Sequence, residues 1–217
     1  MLDAILDHLA HIRADHPVRV AVDGGTAAGK TTLAEDLAQR HIERGGVGIR
    51  ASFDFFKIPP DRRTRHGFGD QVFDTDALVE ELLEPLGPGG SRRYRVATYD
   101  SWMGRSLRER PPRTAPDQAL AVVDGAFLWA QPLRAWWEFW IFVEVDPSTA
   151  VERYVARDAL WTDDPDPERM RDGFRTRYLP AESAYAEAVD PWHNADLMVR
   201  NDDPGRPQYT FAARLSR

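Results

Sequence analysis

Leu2, Ile5, Leu6, Leu9 and Ile12 recur at three- and four-residue intervals, which predicts an amphipathic helix over the first fourteen residues, ended by His16-Pro17. Val18 to Asp23 is a short apolar run that stops at Gly24-Gly25. From Thr31 to Arg44 the apolar positions Leu33, Ala34, Leu37, Ala38 and Ile42 return to helical spacing, closed by Gly45-Gly46. The pattern reads strand, glycine-rich turn, helix. A second strand is predicted over Val47 to Phe53, then a loop rich in Pro, Arg and Gly from Lys57 to Gly69, and a helix from Asp76 to Leu83. Breaker clusters at Pro85 to Gly90 and Arg110 to Pro116 frame an extended stretch, Arg92 to Tyr99. Further strands are predicted at Ala119 to Val123, Trp140 to Val145 and Asp196 to Val199. Between them lie helical patterns near Leu133 to Trp137, from Ser148 to about Leu160, and from beyond the acidic loop Asp163 to Pro167 as far as Val189. Strands alternating with helices imply a parallel α/β sheet, whose ligands sit beyond the carboxyl ends of the strands.

A chain of 217 residues makes one domain, or one domain with an insertion. Its 28 basic and 35 acidic residues balance to -7, so no broad cationic field is available for nucleic acid or an anionic membrane, and an anionic ligand must be met by a local site. The lack of cysteine removes disulfides, thiolate metal sites and a thiol nucleophile, and fits a reducing compartment. Residues 1–16 do not have the basic start and apolar block of a signal peptide, and a cytoplasmic location is expected. Only Lys30 and Lys57 are lysines; all other basic residues are arginine. Against that bias, a surviving lysine marks a place where a compact ammonium is needed.

Gly24-Gly25-Thr26-Ala27-Ala28-Gly29-Lys30-Thr31 fits G-x-x-x-x-G-K-[ST] and stands between a predicted strand and a predicted helix, the context that aims backbone N–H groups and a helix N-terminus at phosphate oxygens. Lys30 is expected to reach the terminal phosphates and the Thr31 hydroxyl to ligate Mg²⁺. Gly25, Thr26, Ala27, Ala28, Gly29 and Thr32 complete the expected nucleotide contacts. Asp124, ending an apolar strand, is placed to hold the metal's water shell. Asp54, just past the second strand, is a candidate to orient an acceptor hydroxyl and take its proton, with a turn or capping role as the alternative. Arg153, Arg157, Arg169, Arg171, Arg175 and Arg177 cluster late in the chain. Two or three are expected to close over the transferring phosphoryl group, the others to form a solvated face with Glu152, Asp158, Glu168 and Asp172. His8 with His11 reads as a surface pair, Trp129, Trp136, Trp137 and Trp140 as core packing, and Asp163, Asp164 and Asp166 as a solvated lid loop.

Together with Phe53-Asp54-Phe55-Phe56, Phe73 to Leu78, Tyr94 to Asp100, Val122 to Gly125, and Arg153 with Arg157-Asp158, the phosphate loop occurs in an order that resembles the uridine kinase family of P-loop kinases, over about Val18 to Asn201. The resemblance implies a three-layer α/β/α P-loop domain spanning 1–217 around a five-stranded parallel sheet. It would have an N-terminal helix at about 1–15, a small substrate-side insertion at about 57–116 and a lid at about 157–170. It also implies ATP and Mg²⁺ as cofactors, served by Lys30, Thr31 and Asp124, with Arg153 and Arg157 in the lid. Asp54 would be the base acting on a 5′-hydroxyl, Asp70 would hold the ribose and Tyr99 would pack on the base. The sequence departs from the family at Phe56 or Lys57, where a tyrosine or histidine is usual, and at Ser101, Trp102 and Gly104, where base-contacting aromatic and His residues would stand. The expected activity is ATP-dependent phosphorylation of a nucleoside-like acceptor. A pantothenate- or sugar-like alcohol, or a nucleotide-binding regulatory module without turnover, stands as the alternative, and a homo-oligomer remains open.

Overall fold

The structure, a computed structural model, describes residues 1–63, 72–163 and 165–213. The first apolar stripe forms α1 (Leu2–Leu9), which buries Ile5, Leu6 and Leu9. It is shorter than the fourteen residues predicted, because beyond Leu9 the chain tightens to i→i−3 bonds, His11 N–H to His8 O and Ile12 N–H to Leu9 O, each 3.0 Å. Then follow β1 (Val18–Gly24), α2 (Lys30–Glu43) and β2 (Gly48–Ser52). α3 (Thr75–Leu78) is capped by Asp74, which accepts from the Ala77 N–H at 3.0 Å, and runs on into a π-turn at Val79–Leu83. The stretch expected to be extended yields only short strands: β3 (Arg93–Tyr94), β4 (Tyr99–Asp100), β5 (Arg105–Ser106) and β6 (Arg113–Thr114). These pair as two small antiparallel ladders, β3 with β6 and β4 with β5.

The second half supplies β7 (Leu120–Asp124), β8 (Phe139–Glu144) and α4 (Pro147–Asp158). The long helical pattern divides into α5 (Pro167–Gly173), a π-turn at Phe174–Tyr178 and α6 (Leu179–Val189), followed by α7 (Pro191–Asn194), β9 (Leu197–Arg200) and β10 (Gln208–Phe211). The main sheet runs β2-β7-β1-β8-β9-β10, its first five strands parallel. The sixth, β10, is antiparallel and was not foreseen. Its residues are mostly exposed, so the apolar run that marks the buried strands is missing there. β1 connects outward past β7 to β2 while β7 crosses back over it to β8, which makes the carboxyl end of β1 the switch point where ligands bind in such sheets.

Strand parity divides the core. Val20, Val22, Leu120, Val122, Ile141 and Val143 face α1 and α2. Ala21, Ala121, Val123, Trp140 and Phe142 face the opposite layer. The same alternation sends Asp124 toward α2 and Asp23 to the other side. Trp140 is fully buried and stacks on Trp129 at 4.2 Å, while Trp137 donates its indole N–H to Leu128 O at 2.7 Å, so these tryptophans are packing residues. His8 is half-buried between Phe139 and Phe211 rather than forming a surface pair with the exposed His11. Among the described residues, no helix is long and apolar enough to cross a membrane.

Candidate active site

Residues 24–31 wrap the end of β1 into the start of α2. Gly24 takes φ 143° and Gly29 φ 98°, and a Cβ on Gly24 would run into the Val143 carbonyl oxygen of β8. Ala27 also sits at positive φ (62°), an unfavourable region for a non-glycine residue and of a kind that concentrates at ligand-binding turns. Asn201, just after β9, donates its amide to Ala28 O at 2.7 Å and braces the loop from the far side. Lys30 folds back over the loop, its Nζ donating to Gly25 O at 2.6 Å.

The parity of β7 brings Asp124 to the first turn of α2. The Thr31 hydroxyl donates to Asp124 Oδ2 at 2.6 Å, and Arg50 Nη2, from the same face of β2, donates to Oδ1 at 2.5 Å. A hydroxyl beside a buried carboxylate is a hard-oxygen donor set suited to Mg²⁺. Among the described residues no three His, Cys, Asp or Glu gather as a cage, so a metal here would draw its other ligands from phosphate and water.

Two carboxyl groups tie the loop to α6. Glu182 Oε1 accepts both the Thr26 N–H (2.7 Å) and the Thr26 hydroxyl (2.6 Å). Burial raises its pKa, opposed by those bonds and by the Lys30 charge. Asp23 accepts the Gly24 N–H at 2.7 Å and the Tyr185 hydroxyl, and Tyr185 in turn accepts the Trp129 N–H at 2.8 Å. Complete burial pushes the Asp23 carboxyl up to about 6, with the Tyr185 and Gly24 bonds and the Lys30 charge pulling the other way. The Tyr185 phenol is also raised, by burial and by the Asp23 charge.

A cavity of about 610 Å³ opens at this end of the sheet. Thr26, Ala27, Gly29, Lys30, Thr31 and Thr32 form its floor, with Asp124 beside them. Asp54, Lys57, Arg63, Val72, Phe73 and Ser101 make a second wall, and Arg153, Arg157, Arg177 and Tyr178 a third. Asp54 lies in a 3₁₀ turn (Phe53–Phe55) directly after β2, and its Oδ1 meets Lys57 Nζ at 2.5 Å. Lys57 also lies 5.7 Å from the Phe73 ring centre. On the third wall Arg153 donates to Asp202 O at 2.8 Å, and Arg157 pairs with Asp158 at 2.7 Å while lying over the Tyr154 ring. Arg171 is held by Glu152 and Glu168, both at 2.8 Å, in the solvated-face role expected for part of the arginine cluster. Asp166 caps α5.

Most residues singled out from the sequence therefore converge on one cavity. Gly25 and the buried Ala28 belong to the loop without lining it. Tyr99 is buried in β4 and does not line the cavity, whereas its neighbour Ser101 does. Asp70 and Asp164 lie outside the described residues. Sequence reasoning missed Asp23, Arg50, Arg63, Glu182, Tyr185 and Asn201. Asp23 alone carried a signal, as a carboxylate closing an apolar strand.

No family model matches the chain. It is similar to uridine-cytidine kinase B of Dictyostelium discoideum, with 31% identity over 149 residues that cover 66% of this chain and 59% of that relative. The match thus spans about three fifths of the relative's length. Among solved structures, one described as a possible uridine kinase from Bacillus stearothermophilus superposes with a TM-score of 0.65 at 20% identity, covering 91% of this chain and 96% of that one. Another, described as a candidate fructose transport system kinase from Silicibacter, superposes at 0.72 with 20% identity, covering 87% and 95%. These likenesses show the fold.

Proposed function

We propose, for a chain related in sequence to uridine kinases and folded as a P-loop kinase, that it transfers the γ-phosphate of ATP to a hydroxyl of a small molecule. One observation carries this reading: the phosphate loop with its Thr31–Asp124 pair and the Asp54 carboxylate line the same cavity. The loop amides and the N-terminus of α2 supply fixed dipoles for the triphosphate. Lys30, now on Gly25 O, is within side-chain reach of the cavity it lines and exchanges that carbonyl for phosphate oxygens. Thr31 and Asp124 would hold Mg²⁺, which when bound would offset charge on the phosphates. Asp54 orients the acceptor hydroxyl and takes its proton.

Residues 57–116 act as the acceptor-side insertion and 157–170 as the lid. Trp161 from the lid meets Trp102 from the insertion with ring centres 5.0 Å apart and planes tilted at 45°, a contact that joins the two segments. Arg153, Arg157 and Arg177 stabilise charge on the transferring group as the lid closes. A cytoplasmic setting fits a chain without cysteine.

The names of the relatives favour a nucleoside acceptor. A non-nucleoside alcohol is favoured by a specific observation: Tyr99, the residue assigned to the base, is not on the cavity wall, and Lys57 and Arg63 are. Acceptor-dependent ADP release, measured with a coupled assay across nucleosides, sugars and hydroxy acids, tests the proposal. ATP binding without any acceptor-dependent release would leave a nucleotide-binding module instead.

A further inference from the structure

Among the described residues, the cavity is lined by the cations Lys30, Lys57, Arg63, Arg153, Arg157 and Arg177 and by only two carboxylates, Asp54 and Asp124. A magnesium-bound triphosphate brings a net charge of about −2, which leaves cationic charge uncompensated within the walls. On the Asp54 side, away from the phosphate loop, two cations, Lys57 and Arg63, face a single carboxylate. Lys57 is one of two lysines in the chain, and its side chain is only 23% exposed while that of Asp54, which it contacts, is 61% exposed. Arg63 is fixed through Nε to Ile58 O at 2.8 Å, and its two terminal nitrogens have no partner among the described residues. An ammonium and an open guanidinium beside the acceptor base, against the apolar wall of Val72 and Phe73, form a local site for an anion.

We propose that the phosphate acceptor is an anionic hydroxy compound whose carboxylate or phosphate is held by Lys57 and Arg63. This rests on the kinase reading above and narrows it. The acceptor's anion meets Lys57 and Arg63, while Asp54, whose Oδ1 contacts Lys57, keeps Oδ2 for the hydroxyl. The hydroxyl oxygen then bonds to the γ-phosphorus, the bond from that phosphorus to the β,γ-bridging oxygen breaks with its electron pair leaving on ADP, and the hydroxyl proton passes to Asp54. A neutral alcohol makes no ion pair with Lys57 and Arg63 and is held only by its contacts to the walls and to Asp54.

The test is ADP release with matched pairs: D-glycerate against glycerol, ribose 5-phosphate against ribose, and uridine as the neutral nucleoside. The anionic member of at least one pair should exceed its neutral partner in kcat/KM by about 100-fold, the worth of two charge-assisted hydrogen bonds. Preference for glycerate assigns a carboxylate, and preference for ribose 5-phosphate assigns a phosphate monoester. Arg63→Gln should raise the KM for that acceptor at least tenfold and leave the KM for ATP unchanged. Turnover of uridine, glycerol or ribose as efficient as that of the anions overturns the inference and leaves the kinase reading standing. If neither anion supports ADP release, the inference falls whether or not either raises Tm, and the kinase reading is decided separately by the wider panel of nucleosides, sugars and hydroxy acids.

Discussion

Asp23 offers the most direct check on the electrostatics that hold the phosphate loop. Its carboxyl is fully buried, joins Gly24 to Tyr185, and is pushed by burial from 3.8 to about 6. The folded state therefore holds this proton more tightly than the unfolded chain does. Its contribution to stability is fully present below pH 4 and is lost as the pH rises through about 6. A shift of about two units corresponds to roughly 3 kcal/mol between those limits. In Asp23→Asn the side-chain oxygen still accepts from the Gly24 N–H and the amide can donate to the Tyr185 oxygen, but nothing titrates. Urea unfolding of both proteins at pH 4 and pH 8 isolates the effect, because the other titrations are common to both and cancel in the difference. The variant should gain on the wild type by about 3 kcal/mol from the lower to the higher pH. A difference that does not change with pH would refute the account of Asp23 as a buried, destabilised carboxylate.

Three further outcomes follow from the site. Asp54→Asn should lower kcat by about 10²–10⁴-fold with little change in the KM for ATP, since a general base acts on the transfer step and not on nucleotide binding; steady-state kinetics with a saturating acceptor decide it. Gly24→Ala should cost at least about 1–3 kcal/mol in unfolding free energy, because φ 143° and the Val143 carbonyl leave no room for a Cβ; a midpoint equal to wild type in urea would count against the loop geometry. Trp102 and Trp161 are 72% and 66% exposed, and their rings meet at 5.0 Å between the insertion and the lid. Binding of a non-hydrolysable ATP analogue should therefore change tryptophan emission in the wild type and not in Trp161→Ala, if residues 157–170 close as a lid.

The parallel strands and the helix after the loop were legible because each is marked locally: an apolar run ended by glycine or aspartate, or apolar positions at helical spacing. The departures have equally local causes. The final apolar stripe reads as one long helix, yet residues 174–178 widen into a π-turn that the spacing does not mark. β10 escaped notice because an exposed antiparallel edge strand needs no apolar run. At the site, Lys57 stood out through its rarity, but its pairing with Asp54 did not, since Phe56 and Lys57 were equivalent readings of the same position until the turn after β2 was seen.

By itself the sequence determined the phosphate loop, from glycine spacing and a lysine where the rest of the chain uses arginine, and it determined that Asp124 closes an apolar strand. Both follow from backbone chemistry within a few residues. Only the tertiary structure decided that Glu182, Tyr185 and Asn201 hold that loop, through contacts 156, 162 and 173 residues apart in the chain. Those contacts depend on β1 lying between β7 and β8 and on α6 packing over the face that carries Asp23, and no local propensity encodes which strands become neighbours or which face a distant helix covers.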